Sequence, residues 1–269
     1  TSALNEPSCI LPSQVPRYLN FASHVLIDCF TVYGTQLLEP FSNRRFGLSN
    51  FFIIDPLFTL PLLIWIAAAV IRKQPAGTAP KGVVAASSMW IAGYVAFSFA
   101  AQAIASQRFG KELADQGITP TRSLVAPTPF NTLVWRGIFE TDDAFRIGYW
   151  SVTDSEEPLV FKKVEDSRHL LTPYLEDRGI ACAIWFSENF LLVEPSPEGG
   201  FLLNDLRFAE FWPDDTDGMP RTFFSWQVVP EAMEGGPVFR QVRSSRPSLS
   251  RFAEAFEARL RGDRNAFLP

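Results

Sequence analysis

Two long apolar segments in the first half of the chain decide the fold. Residues 57–71 read LFTLPLLIWIAAAVI, and residues 82–105 read GVVAASSMWIAGYVAFSFAAQAIA. Extended back to residue 52, the first segment has about 20 residues, enough to span the hydrocarbon core of a bilayer. The second is uncharged and rich in small residues, which suit close helix packing in lipid. We therefore predict membrane helices over 52–71 and 82–105; the alternative is a pair of buried helices in a soluble protein.

The distribution of charged residues separates the chain into two parts. Between residues 46 and 107 the only charged residues are Asp55, Arg72, Lys73 and Lys81. Residues 1–120 carry 8 basic and 6 acidic residues, whereas residues 121–269 carry 16 basic and 23 acidic residues. The charge-poor first part is typical of a membrane-embedded domain, and the acidic second part of a water-exposed one.

A third helix is predicted before the two apolar segments. Residues 17–33 are mostly apolar, contain no Pro or Gly, and are followed by Gly34, a typical residue beyond a helix end. With the two membrane segments, this helix predicts an α-helical transmembrane bundle over residues 1–118. The short connector 72–81, which contains Arg72, Lys73 and Lys81, is basic.

The second part predicts a small soluble α+β domain with antiparallel strands over residues 119–269. Its β-type runs are short, and turn residues bound several of them. These runs are 132–139, 144–152, 180–194, 201–211 and 221–229. A short helix is expected over 167–177, and apolar residues at helical spacing predict an amphipathic helix over 248–261.

Composition excludes some classes of protein and leaves others open. The acidic balance and a pI near 5.2 argue against direct nucleic-acid binding, which usually needs a basic face. The three cysteines, Cys9, Cys29 and Cys182, show no CxxC spacing, so they indicate neither a zinc ribbon nor a disulfide scaffold. The expected partners are membrane lipid and, through the C-terminal domain, another protein.

A polar stripe on the first predicted helix is the main candidate for chemistry. His24 and Asp28 are four residues apart and project from one helix face, with Asn20 and Thr31 on the same stripe. An unpaired carboxylate in an apolar setting costs several kcal/mol, so Asp28 needs a cation or strong donors. An imidazole and a carboxylate at this spacing are ligands that zinc or another divalent metal takes.

Simpler interpretations of this stripe stay open. His24 and Asp28 could bond only to each other, or Asp28 could pair with Arg44 or Arg45. The two arginines could instead bind a phosphate group or anchor the chain at lipid headgroups. Asp55 could cap the following helix with Pro56 in its first turn, and such a cap could still present an oxygen to a metal.

These residues resemble the motifs of the membrane-bound metal-dependent hydrolase family, whose members are also described as LexA-binding hydrolases of the inner membrane. The resemblance covers most of the chain. It rests on His24–x3–Asp28–x2–Thr31–x2–Gly34, Pro40–Phe41–Ser42, Asp55–Pro56, the run APTPFNTLVWRGI over 126–138 and the phrase NDLRF over 204–208. The His–x3–Asp pair is also similar to the ligand pair of zinc-dependent phospholipase C.

The resemblance implies a multi-pass inner-membrane protein that hydrolyses a phosphoester or lipid-like substrate with a divalent metal, zinc in the first instance. It implies that His24 and Asp28 ligate the metal and that Asp55 ligates it or acts as a general base. In this interpretation Arg44 or Arg45 offsets developing negative charge, and Asn20 and Thr31 support the ligands.

One departure from the family affects the expected activity. Family members carry an earlier segment with further His and Asp residues, and residues 1–23 do not match it. A catalytic zinc normally takes three protein ligands. Because the chain begins at Thr1, we expect the remaining ligands in a missing N-terminal segment. The competing hypothesis is a non-catalytic membrane-anchored protein whose soluble domain binds a partner.

Overall fold

The structure is a computed structural model that describes residues 15–73, 80–142, 144–208, 210–211, 221–230, 238–242 and 249–267. Residues 74–79 of the basic connector lie outside these ranges. The described helices are α1 (Val15–Asp28), α2 (Pro56–Ile71), α3 (Lys81–Asp115), α4 (Arg178–Phe186) and α5 (Leu249–Leu260), with 3₁₀ turns at Arg168–Tyr174 and Leu206–Phe208.

The described strands form two four-stranded antiparallel sheets and a two-stranded pair. The first sheet has the order β1-β2-β3-β4, with β1 (Arg122–Pro127), β2 (Val134–Glu140), β3 (Ala144–Ser151) and β4 (Phe161–Glu165). The second has the order β10-β9-β6-β5, with β5 (Leu191–Pro195), β6 (Phe201–Asp205), β9 (Ser225–Val229) and β10 (Val238–Gln241). β7 (Glu210–Phe211) pairs with β8 (Arg221–Thr222). Helices followed by an antiparallel α+β region confirm the coarse fold prediction.

The first sheet lies between α3 and the second sheet, and it contributes to two apolar cores. Because side chains alternate along a strand, Trp135 and Phe139 of β2 pack against Phe109 of α3. Ile138 of β2 faces the other way and joins Leu192 of the second sheet in a separate cluster. Both cores are fully or almost fully buried.

Helix α4 corrects the expectation of a strand over residues 180–194, of which only β5 is extended. Asp177 caps the helix, since its Oδ1 accepts hydrogen bonds from the backbone N–H groups of Gly179 and Ile180. Ile180 and Ala183, three residues apart, are buried with residues of the second sheet. A short apolar run does not by itself distinguish a buried strand from a buried helix.

Helix α3 ends ten residues later than the end predicted at residue 105. Its second half buries Ala105, Phe109 and Leu113 against the first sheet. Tertiary packing therefore extends the helix beyond the uncharged segment. One continuous helix belongs to both the apolar N-terminal part and the C-terminal domain.

Two further helix boundaries also differ from prediction. α1 ends at Asp28 rather than at residue 33, and α2 begins at Pro56 rather than at residue 52. Among the described residues, α3 is the one helix long and apolar enough to cross a membrane, and α2 is a shorter apolar helix. The expected bundle of several membrane spans therefore stays a prediction.

Candidate functional site

The polar stripe of α1 is open to solvent. His24 Nε2 lies 3.6 Å from Asp28 Oδ2, and the two side chains are 75% and 45% exposed. This confirms that the two residues share one face, one turn apart. The distance is too long for a strong hydrogen bond, so neither group is fully committed to the other.

The two predicted supporting residues contact the stripe in different ways. Thr31 Oγ1 donates a hydrogen bond to the backbone oxygen of Asp28 at 2.8 Å, so it fixes the end of α1 rather than the carboxylate. Asn20 lines a shallow cavity of about 300 Å³ together with Arg17, Phe21 and His24. A basic, an amide and an imidazole side chain therefore border the same small space.

The pair supplies two of the ligands that a divalent metal takes. An imidazole nitrogen and a carboxylate oxygen suit zinc, but a catalytic zinc site normally has three protein ligands. The part of the chain that the structure describes contains no group of three or more His, Cys, Asp or Glu placed to hold a metal. His24 and Asp28 thus fit part of such a site, and the described residues do not complete it.

Asp55 caps α2 and is buried. Its Oδ1 accepts hydrogen bonds from Leu57 N at 2.9 Å and Phe58 N at 3.4 Å, which confirms the capping interpretation. Its Oδ2 accepts one from the Tyr94 hydroxyl at 2.7 Å, and that hydroxyl lies 2.7 Å from Thr132 Oγ1. Within the described ranges, no hydrogen bond or ion pair joins Asp55 to the stripe on α1.

Arg45 joins the N-terminal part to the C-terminal domain. Its Nη2 donates to the backbone oxygens of Trp185 at 2.9 Å and Phe186 at 2.7 Å, at the end of α4. Its guanidinium lies over the Trp185 ring, 4.4 Å from the centroid. Burial lowers the pKa of Arg45, and the positive charge of Arg207 lowers it further. The side chain is only 5% exposed.

Arg44 has a different environment from its neighbour. Its guanidinium lies 5.6 Å from the centroid of the Phe46 ring, and the residue is exposed. No described ion pair joins either arginine to Asp28, which was one of the open alternatives. The structure thus brings His24, Asp28 and Asn20 together on α1, and it places Asp55, Arg44 and Arg45 in other contacts.

Sequence reasoning missed a second polar stripe, on α3. Ser98 Oγ accepts a hydrogen bond from Asn50 Nδ2 at 2.9 Å. Gln102 Nε2 donates to the backbone oxygens of Leu48 at 2.9 Å and Ser49 at 3.1 Å. With Tyr94, these residues recur every four positions and hold the segment that leads into α2. The same spacing that singled out α1 would have found them.

A second cavity, of about 580 Å³, lies between α3 and β1. Its lining includes Leu48, Gln102, Ser106 and Val125. The described lining has no acidic, basic, histidine or cysteine side chain. This cavity therefore offers space but no acid–base or metal-binding group.

Residues 10–105 match the family described as YdjM inner membrane protein. The matched segment contains α1, α2 and the first part of α3, and it includes His24, Asp28 and Asp55. The similarity supports membrane association and a location in the inner membrane. It carries no information on catalysis or metal binding. No curated protein and no solved structure matches the chain.

Proposed function

We propose that the protein is a metal-dependent hydrolase of the inner membrane in which His24 and Asp28 hold a divalent cation. The observation that carries the proposal is the exposed His24–Asp28 pair, 3.6 Å apart on one face of α1. The pair lies inside the segment that matches an inner-membrane family. An open pair of this composition has the chemistry of a partial metal site.

The membrane part of the proposal is a helical hairpin made of α2 and the first half of α3. Trp90 Nε1 donates to the backbone oxygen of Phe58 at 3.3 Å, and the Phe58 and Tyr94 rings lie 5.5 Å apart. The two helices therefore contact each other near the start of α2. α2 has no buried residue, and its exposed apolar side chains include Leu60, Leu63, Ile64, Ile66 and Val70. Lipid is the solvent that such a surface suits.

The residues around the pair favour an anionic substrate. Bound there, a divalent cation supplies Lewis-acid polarisation of a phosphoryl or acyl oxygen. Arg17 borders the same cavity as His24, so its guanidinium can hold an anionic oxygen of the substrate. The Asn20 amide can donate a further hydrogen bond. A phosphoester of a lipid-like molecule combines this charge with access from the membrane.

The catalytic roles expected for Asp55, Arg44 and Arg45 stay predictions. A general base needs a carboxylate oxygen within reach of the reacting proton. Both oxygens of Asp55 already accept hydrogen bonds, from the start of α2 and from Tyr94. Arg45 binds the end of α4. For these two residues, capping and domain attachment account for the observed contacts.

Metal analysis of the full chain, purified in mild detergent, tests the proposal. We expect about one zinc or other divalent metal per chain, and we expect Asp28→Ala and His24→Ala each to lose it. His169→Ala is the matched control, because it removes the other exposed histidine and should leave the metal content unchanged. Metal-loaded protein should then hydrolyse a phosphoester in a substrate screen, and the Asp28→Ala variant should not.

Two results would contradict the proposal. Folded wild-type protein without bound metal, after incubation with zinc or manganese, would favour the non-catalytic membrane protein. Equal metal content in wild type and both variants would show that the metal binds elsewhere than at the α1 pair.

A further inference from the structure

Five apolar residues lie at the base of the hairpin, and we call them the apolar rim. It consists of Phe52, Ile53, Ile54, Phe130 and Phe252. Ile53 and Ile54 are 72% and 58% exposed. The ring centroids of Phe52 and Phe130 lie 5.3 Å apart, and those of Phe130 and Phe252 lie 5.8 Å apart. The rim therefore joins the N-terminal segment to the C-terminal domain.

Hydrogen bonds fix the rim at the level where the chain enters α2. Ile54 directly precedes Asp55, which caps α2 and accepts a hydrogen bond from Tyr94. The same Tyr94 hydroxyl contacts Thr132, two residues after Phe130. The loop of the C-terminal domain that carries Phe130 is thus tied directly to the base of the hairpin.

The length of the hairpin bears on where the rim lies. α2 has 16 residues, and at 1.5 Å per residue it is about 24 Å long. The hydrocarbon core of a bilayer is about 30 Å thick, and a short apolar segment draws flanking residues to the lipid boundary. At the other end Arg72 and Lys73 follow α2 directly, so the additional apolar residues are those of the rim.

We infer that the apolar rim contacts the lipid bilayer, so that the C-terminal domain rests on the membrane surface through Phe130 and Phe252. The inference rests on the proposed insertion of the hairpin. Along the chain, Ile53 and Ile54 of the rim lead through the Asp55 cap into α2, which exposes apolar residues along its length. Aromatic side chains are common at the boundary between headgroups and acyl chains. A lipid surface is therefore the partner that fits.

Site-specific fluorescence quenching in vesicles tests this contact. The full chain is reconstituted in vesicles of phosphatidylethanolamine and phosphatidylglycerol that contain a lipid with a spin label high on its acyl chain. Single-cysteine variants carry an environment-sensitive dye at Phe252→Cys or Ile53→Cys, with Cys9, Cys29 and Cys182 replaced by serine. Because Phe252 packs against other rings, Ile53→Cys, at an exposed position, guards against misfolding of the first variant.

Two further labelling sites give the references. Ile64→Cys on α2 reports insertion of the hairpin, and it is highly exposed in the structure. Native Cys182 on α4 is also exposed and, when it is the only cysteine left, reports a part of the domain that is not in the rim. We expect quenching at residues 53 and 252 to be several-fold stronger than at Cys182 and close to that at residue 64.

The other outcomes separate the two proposals. Strong quenching at Ile64→Cys, with rim positions quenched no more than Cys182, would overturn the rim contact and keep the hairpin. Quenching at none of the sites would overturn hairpin insertion and, with it, the rim contact.

Discussion

α1 and α3 carry the same kind of polar stripe and use it in opposite ways. On α1, Asn20, His24 and Asp28 recur every four residues and face solvent. On α3, Tyr94 and Ser98 recur at the same spacing and are buried. Tyr94 donates a hydrogen bond to Asp55, and Ser98 accepts one from Asn50, so both bind the segment before α2.

The difference shows that spacing identifies a polar face but does not tell what the face is for. A buried polar group must be hydrogen-bonded, and its partners then hold the structure together. An exposed histidine and carboxylate that barely contact each other cost little and remain able to bind a ligand. The α1 stripe is therefore the better candidate for chemistry, and the α3 stripe for stability.

The largest expected effect tests whether the second half of α3 is part of the core of the C-terminal domain. Phe109 is fully buried against the first sheet, so Phe109→Ala should lower the free energy of unfolding by about 3–5 kcal/mol. Phe21→Ala on α1 is the matched control: Phe21 is 71% exposed, and its loss should change stability by less than about 0.5 kcal/mol. Denaturant unfolding in mild detergent measures both values.

Equal losses in these two variants would contradict the contrast between the helices. They would mean that α1 is packed in the protein as tightly as α3.

The cap at Asp55 should give the next largest effect. Asp55→Ala removes the cap of α2 and the acceptor of the Tyr94 hydrogen bond, so we expect a loss of about 2 kcal/mol. Tyr94→Phe should cost about 1 kcal/mol. Because the two groups bond directly, the double variant should lose less than the sum, with a coupling of at least about 0.5 kcal/mol. Strictly additive losses would show that the contact contributes nothing.

Sequence reasoning located the parts of the fold that depend on local patterns. The shared face of His24 and Asp28 follows from helical spacing. Capping chemistry offered Asp55 as the cap of α2, although the helix was expected to begin at residue 52. The end of α3 could not be predicted in this way, because it depends on Phe109 packing against a sheet whose strands come later in the sequence. β4 was also missed, since its residues, FKKVE, are mostly polar and not fully buried.

At the candidate site, only the arrangement of residues along α1 could be predicted from the sequence. Helical spacing placed His24, Asp28 and Asn20 on one stripe. It could not place Arg45, whose partners at Trp185 and Phe186 lie 140 and 141 residues away. Contacts that far apart in sequence carry no local signal.

The free energy of unfolding should depend on pH through Asp166, whose carboxylate is buried, unlike the exposed carboxylate on α1. Burial raises the pKa of Asp166. It does so although Val193 N donates a hydrogen bond to its Oδ1 and Arg168 Nε pairs with its Oδ2. The folded state therefore keeps the Asp166 proton to higher pH than the unfolded chain. Its contribution to stability falls as pH rises from about 4 and levels off above the folded-state pKa.

Asp166→Asn isolates this effect, because asparagine keeps an oxygen acceptor and does not titrate. The wild-type stability minus the variant stability, measured by denaturation from pH 4 to 7, should decrease as pH rises. A difference that grows with pH would mean that pairing with Arg168 outweighs burial.

The smallest expected effect compares one amide on each stripe. Gln102 Nε2 donates to three backbone oxygens, those of Leu48, Ser49 and Val125, so Gln102→Ala should cost about 1 kcal/mol or more. Asn20 borders an open cavity, so Asn20→Ala should change the free energy of unfolding by less than about 0.5 kcal/mol. The same variant should weaken metal binding at His24 and Asp28 by about tenfold or more if the amide supports the ligands. A loss of metal affinity without a loss of stability would separate a binding stripe from a structural one. If Asn20→Ala lowers the free energy of unfolding as much as Gln102→Ala does, both stripes serve stability.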